Sequence, residues 1–306
     1  MKVRLGYACI TNCINDSSSS PYTYSEYLKD GDIDKLDRVI ISNLKSLNNI
    51  IDYNIKNNIH FYRISSKIIP LATKDDVKFD YTNKYKSYYD TIGKKISDSK
   101  MRVDFHPDQF CVLNSVKSDV VSNSVKILEY HYNLLNMLNV NDKILILHVG
   151  SSTFSKENSI SRFINNFNKL PIYLRKCIAI ENDDKIYNAK DVLSLCKKIN
   201  RPMVLDYHHH LCNKSDFSFA DIFNSWGNRR VKMHFSSPKN KRDYRSHNEY
   251  INGDDFINFI EILKKYDKDV DIMLEAKGKD DSLFRLVRYI KYETDYKFID
   301  DTTFLV

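Results

Sequence analysis

Apolar positions along this chain alternate between short strand-like runs and longer stripes at helical spacing. Residues 2–9 alternate loosely and predict a first strand. After Asp34, the stripe Leu36, Val39, Ile40, Leu44, Leu47, Ile51 and Ile55 predicts a long helix that ends at Asn57-Asn58. Strand 59–64 follows, then a helix around Tyr85, Tyr88, Tyr89, Ile92 and Ile96, strand 101–105, helix 118–139, strand 143–147 and helix 156–170. The second half predicts strand 176–180, helix 190–199, strand 202–205, helix 217–225, strand 230–235, helix 254–266, strand 270–276 and a last helix 282–291. Eight strand–helix units without a linker-like break predict one domain over residues 1–306, an α/β fold of the (β/α)8 TIM-barrel type. A doubly wound sheet usually stops earlier. The weakest unit is the second, whose loop 65–81 is long.

In a (β/α)8 barrel the C-terminal ends of the strands form the active face. The polar residues predicted there are Asn12, His106, His148, Glu181, Asp206, Lys232 with His234, and Glu275. Asp206 closes the apolar run Pro202 to Leu205 and is followed by His208-His209-His210. A buried carboxylate or imidazole is costly unless something compensates it, commonly a cation. Each residue alone reads as an ordinary loop residue; converging on one mouth, they read as a metal site. Lys232 and His234 stand two apart on one strand and so share a side of the pleat. The same pleat, carried past Asp206, predicts that His208 faces the pocket; His210 is expected to face away. This many carboxylates and imidazoles suit a cluster of divalent ions, the usual arrangement for phosphodiester cleavage. Glu181 is the best-placed bridging carboxylate, whereas His60 and His131 receive no role.

Composition narrows the class without deciding it. The chain has 306 residues, 42% hydrophobic and 28% charged, as in ordinary globular proteins. No apolar run reaches the roughly 18 residues of a membrane span, and the start runs straight into strand-like sequence. Six cysteines without a Cys-x-x-Cys pair suit reduced thiols, so a cytoplasmic protein is expected; a monomer is the expected state. Seven glycines, none in a Gly-x-Gly-x-x-Gly loop, leave no phosphate cradle for a nucleotide cofactor. The net charge of +7 is compatible with a polyanionic partner but does not identify one.

His106-Pro-Asp-Gln-Phe110, His148-Val-Gly150, Glu181-Asn-Asp183, Asp206-Tyr-His-His-His210, Lys232-Met-His234, His247 and Glu275 occur in this order. Gly6-Tyr-Ala8 and Tyr62-Arg-Ile-Ser-Ser66 precede them. In these motifs the chain resembles the UV-damage endonucleases, relatives of endonuclease IV and of the xylose-isomerase-like barrels, from about residue 3 to about residue 290. The resemblance implies an ATP-independent repair nuclease with up to three divalent ions, manganese first and zinc or magnesium as alternatives. Its partner would be damaged double-stranded DNA, nicked immediately 5′ to pyrimidine dimers, 6-4 photoproducts or abasic sites to leave a 3′-hydroxyl and a 5′-phosphate. By motif, His106, His148 and Glu181 would hold one ion. Glu181, Asp206, His234 and Glu275 would hold a second, and His209 and His247 would help hold a third. Lys232 matches a lysine that the family can carboxylate, and Gln109-Phe110 a pair that probes the lesion. Tyr7 and Asn12 match further lesion contacts. Where some members carry a catalytic histidine this chain has Ala72-Thr-Lys74, so Lys74 would substitute for it. The competing readings are a zinc-dependent abasic-site endonuclease, a metal-dependent sugar isomerase on the same barrel, and a non-catalytic DNA-binding protein.

Overall fold

The structure, a computed structural model, describes residues 1–14 and 17–306. The first half runs β1 (Lys2–Ala8), α1 (Tyr24–Asp30), α2 (Ile33–Lys56), β2 (Phe61–Arg63), α3 (Lys86–Asp98), β3 (Arg102–Asp104), α4 (Ser118–Met137) and β4 (Leu145–His148). There follow α5 (Lys156–Lys169), α6 (Ile172–Cys177), β5 (Ile178–Glu181), α7 (Ala189–Ile199), β6 (Met203–Asp206), α8 (Tyr207–Cys212), α9 (Phe219–Ser225) and β7 (Val231–Phe235). The chain closes with α10 (Gly253–Lys264), β8 (Val270–Leu274), α11 (Lys279–Glu293), β9 (Lys297–Phe298) and β10 (Thr303–Leu305).

Strands β1 to β8 pair in parallel in the order β3-β2-β1-β8-β7-β6-β5-β4. The gap between β3 and β4 is closed by a single parallel bridge, Phe105 to Leu145. The predicted (β/α)8 barrel is therefore the fold. Hairpin β9–β10, which the sequence pattern did not predict, adds an antiparallel strand to β1.

Side chains alternate across each strand. One parity faces the helices and is apolar: Val3, Leu5 and Tyr7 on β1, or Ile272 and Leu274 on β8, are all at most 1% exposed. The inward parity carries charge. Asp271, low in the barrel, takes Arg4 at 2.6 and 2.7 Å and Arg102 at 3.0 Å. Midway, Lys232 pairs with Asp104, both fully buried. Above them lie Arg63, Glu275, His234 and Glu181. Gly6 on the inward face of β1 permits close strand approach, because a Cβ there would stand 2.2 Å from the Phe61 carbonyl oxygen.

Capping sets several boundaries. Asp32 accepts from Lys35 N at 2.7 Å and starts α2, just ahead of the predicted position. The pleat reading of the triple histidine is corrected. Asp206 Oδ1 accepts from His209 N at 2.7 Å, capping α8, so residues 207–212 turn as a helix and do not continue the strand. His208 is buried in that turn, whereas His210 packs edge-on against Phe217.

Candidate metal centre

Four parallel strands end on an inward-facing ligand type: His148 on β4, Glu181 on β5, Asp206 on β6 and, one residue before its end, His234 on β7. His106 and Glu275 follow β3 and β8 at the same level. The Glu181 carboxylate is 1% exposed and lies at the centre. Its Oε2 is 2.7 Å from His106 Nε2 and 3.7 Å from His148 Nε2. Its Oε1 is 2.8 Å from His234 Nδ1 and 3.7 Å from His209 Nδ1.

Among the described residues, three groups place ligand atoms within 4.8 Å of one another: His106–His148–Glu181, Glu181–Asp206–His209 and Glu181–His234–Glu275. Glu181 belongs to all three. The donor chemistry suits a divalent ion, being imidazole nitrogen and carboxylate oxygen in a buried mouth. Asp206 supplies the sharper test. With Oδ1 used by the cap, its fully buried Oδ2 has no hydrogen-bond partner, the condition of an oxygen kept for a cation. His106 donates its Nδ1 proton to the Pro107 carbonyl at 3.0 Å, leaving Nε2 as the ligating nitrogen. Asn182 fixes the neighbourhood: its side chain accepts from Asp206 N and donates to Asp206 O, each at 2.9 Å.

The electrostatics are those of anions held by cations. Burial alone would raise the Glu181 carboxyl, but His234, His148 and His106 hold it well below its ordinary range. His209 loses charge stability to burial yet is pushed up to about 9 by Asp206 and Glu181. Arg63 donates from Nη1 to Glu275 Oε1 at 2.6 Å and from Nη2 to His234 Nε2 at 2.8 Å. Lys232, brought down to about 7 by burial against the opposing pull of Asp104, lies beneath this layer with its ammonium on Asp104.

Not every residue singled out in the sequence joins the cluster. His247 belongs to none of the three groups; its ring centroid is 6.3 Å from His209 and 5.6 Å from His208. Tyr7 is fully buried, its hydroxyl on Asn54 at 2.8 Å and its ring against Tyr62, so it offers no surface to a lesion in this conformation. Lys74 sits in the β2–α3 loop with its ammonium 4.7 Å from the Tyr24 ring centroid. Asn12 is exposed and held through its backbone N by Asp280 at 2.7 Å. Gln109 is exposed too, and Phe110 is 72% exposed rather than packed in the mouth.

The family described as UV-endonuclease UvdE matches residues 3–303. The chain belongs to the UV-endonuclease family. It is 36% identical over 298 residues to a UV DNA damage endonuclease of Bacillus cereus (strain B4264), with 94% of each chain covered. It is 35% identical over 314 residues to the same enzyme of Bacillus mycoides (strain KBAB4), with 99% of each covered. The crystal structure of SacUVDE superposes with a TM-score of 0.87 at 32% identity, covering 95% of this chain and 98% of that one. Endonuclease IV from Thermus thermophilus, at 12% identity and a TM-score of 0.61 over 95% of this chain and all of the other, shares the fold.

Arg63 and Asp104 are the site residues that sequence reading missed. Both are charged residues inside short apolar strands, Tyr62-Arg63-Ile64 and Val103-Asp104-Phe105. That placement is itself a signal, because a charge in a core strand needs a buried partner.

Proposed function

We propose that this protein, as a single-domain monomer, is a metal-dependent repair nuclease that nicks duplex DNA immediately 5′ to UV photoproducts and abasic sites, leaving 3′-hydroxyl and 5′-phosphate ends. The observation that carries the reading is the sharing of Glu181 by three ligand groups in one buried mouth. Family membership supports the DNA substrate. Manganese is the proposed metal, with zinc or magnesium as the alternatives a metal-exchange assay would separate. Bound divalent ions supply a water of lowered pKa and neutralise charge on a phosphodiester.

His106 and His148 fix one side of the Glu181 carboxylate, His234 and Glu275 the other, and Asp206 with His209 the third. Arg63 holds Glu275 and His234 in place through its two terminal nitrogens. Phe110, exposed beside this mouth, is the proposed wedge, with Gln109 as its polar neighbour; an aromatic ring replaces stacking lost at a damaged step. Burial pulls the Lys232 ammonium down from the ordinary lysine range, toward the free amine that reacts with carbon dioxide. A carboxylated Lys232 is therefore part of the proposal, read by intact mass.

The test is nicking of UV-irradiated supercoiled plasmid beside unirradiated and abasic-site plasmids. Irradiated plasmid should be relaxed with manganese and left intact with chelator. Glu181→Ala should abolish relaxation while the far-ultraviolet dichroism stays unchanged; full activity in that variant would overturn the assignment. Cleavage of abasic plasmid alone would favour the endonuclease IV-type reading. The same barrel occurs in D-psicose 3-epimerase, at 14% identity and a TM-score of 0.50 over 75% of this chain and 79% of that one, so conversion of ketohexoses without nicking would favour a sugar enzyme.

A further inference from the structure

Two loops leave the barrel beside the His106–His148 pair, whose ring centroids are 5.1 Å apart. The first, after β3, carries Phe110. The second, after β4, carries Phe154, which is 81% exposed. Phe154 also adopts φ 70, in the left-handed region that a bulky side chain rarely enters. An aromatic ring held out in water from an unfavourable backbone needs a cause, and the loop around it supplies the mechanics.

Residues 151–153 are tied down from several sides. Ser151 O accepts from Tyr187 Oη at 2.8 Å and from Asn114 Nδ2 at 2.6 Å. Thr153 O accepts from Arg162 Nη2 at 2.8 Å and from Ser159 Oγ at 3.1 Å. Ser155 then caps α5. Phe154 is the residue between two fixed points, and its ring is directed outward while its neighbours are anchored. Asn114 is fully buried and belongs to the Phe110 loop, so its bond to Ser151 joins the two loops into one block. Arg162 reinforces the joint by donating to Asn114 O at 2.9 Å as well. Phe110 is four residues beyond His106 and Phe154 six beyond His148, so chain length keeps each within about 13 to 22 Å of its histidine, a few nucleotides of DNA.

We infer that Phe154 is a second base-contacting aromatic, stacking on a nucleobase of the duplex that Phe110 enters. The inference rests on the nuclease reading and deepens it. Every base presents a π-face, so the contact adds affinity with little demand on sequence. The bond between the loops fixes the spacing of the two loop backbones before DNA arrives, which spares the complex the ordering of a mobile loop.

The natural chain has one tryptophan, Trp226, 2% exposed, so Phe154→Trp introduces an exposed reporter. It would be titrated, with manganese present, with a duplex carrying one pyrimidine dimer and a phosphorothioate at the scissile link. Tyr292→Trp, 86% exposed near the end of α11, serves as the control reporter. The expected result is at least about twofold quenching in Phe154→Trp, none in the control, and about tenfold weaker binding by Phe154→Gly. Glycine relieves the backbone at φ 70, so the thermal midpoint of Phe154→Gly should hold or rise while its affinity falls. No quenching, or wild-type affinity in Phe154→Gly, would overturn the inference, and so would quenching that depends on protein concentration without DNA. Wild-type nicking of irradiated plasmid alongside such results would leave the nuclease reading standing; absence of that nicking would remove the reading itself.

Discussion

Arg63 Nη1 lies 2.6 Å from Oε1 of Glu275, a residue that also belongs to a candidate metal group. A guanidinium thus supplies positive charge directly beside a divalent-ion site. Burial works against that charge, yet Glu275 and Asp104 hold Arg63 firmly protonated. Breaking a buried pair from one side costs about 3–5 kcal/mol because the partner charge is left uncompensated. Arg63→Leu should lose about that much stability in chelator, measured by urea unfolding, and regain part of it with manganese. Equal losses in both conditions would show that arginine and metal do not serve the same carboxylates.

His209 gives a pH dependence of determined sign. Its pKa is about 9 in the folded protein, against about 6.5 in an unfolded chain. A raised folded value stabilises fully below about 6.5, and the contribution is lost as pH rises through about 9. Metal ligation needs the neutral ring. Across pH 6.5 to 9 the thermal midpoint in chelator should therefore fall while manganese affinity rises. His209→Gln should flatten both slopes, as followed by scanning calorimetry and metal titration; slopes unchanged in that variant would reassign them.

Gly150 has φ 109, and a Cβ there would stand 2.4 Å from Asn114 Oδ1. Gly150→Ala should cost about 1–3 kcal/mol through strain at this position. It should also displace Asn114, so nicking of irradiated plasmid should fall by more than the stability loss explains, with kcat and KM measured on intact, folded protein.

Phe110 is exposed and four residues from a ligand, so Phe110→Ala should leave metal affinity unchanged. Preference for irradiated over unirradiated plasmid should fall about tenfold, the scale of one lost base stack. Loss of metal binding in this variant would mean the ring supports the centre itself.

The barrel was legible because its signal is repetitive: eight apolar runs and eight amphipathic stripes recur in register, with boundaries shifted by a few residues. The placement of Glu181 and His234 in the mouth was legible for the same reason, since parity and strand end together assign a residue to it. The turn at residues 207–212 was not, because a side-chain cap from Asp206 overrides the strand period locally. The burial of Tyr7 was equally hidden: the resemblance assigned it to the lesion, and the pattern gives no sign that Asn54 on α2 takes its hydroxyl. Helix α6, six residues long and entered from Pro171, is too short to show a period.

The single bridge between β3 and β4 gives the barrel a mechanical direction. Every other neighbouring pair from β1 to β8 shares at least two ladder positions, whereas this joint has one, Phe105 to Leu145, with backbone bonds of 3.2 and 3.0 Å. The loops bearing Phe110 and Phe154 rise from the two sides of that seam. Opening fluctuations of the cylinder should concentrate there, and amide exchange at Phe105 and Ile146 would gauge them. A duplex lying over both loops spans the joint like a splint, so substrate would stiffen the scaffold along the line where its strand ladder is shortest.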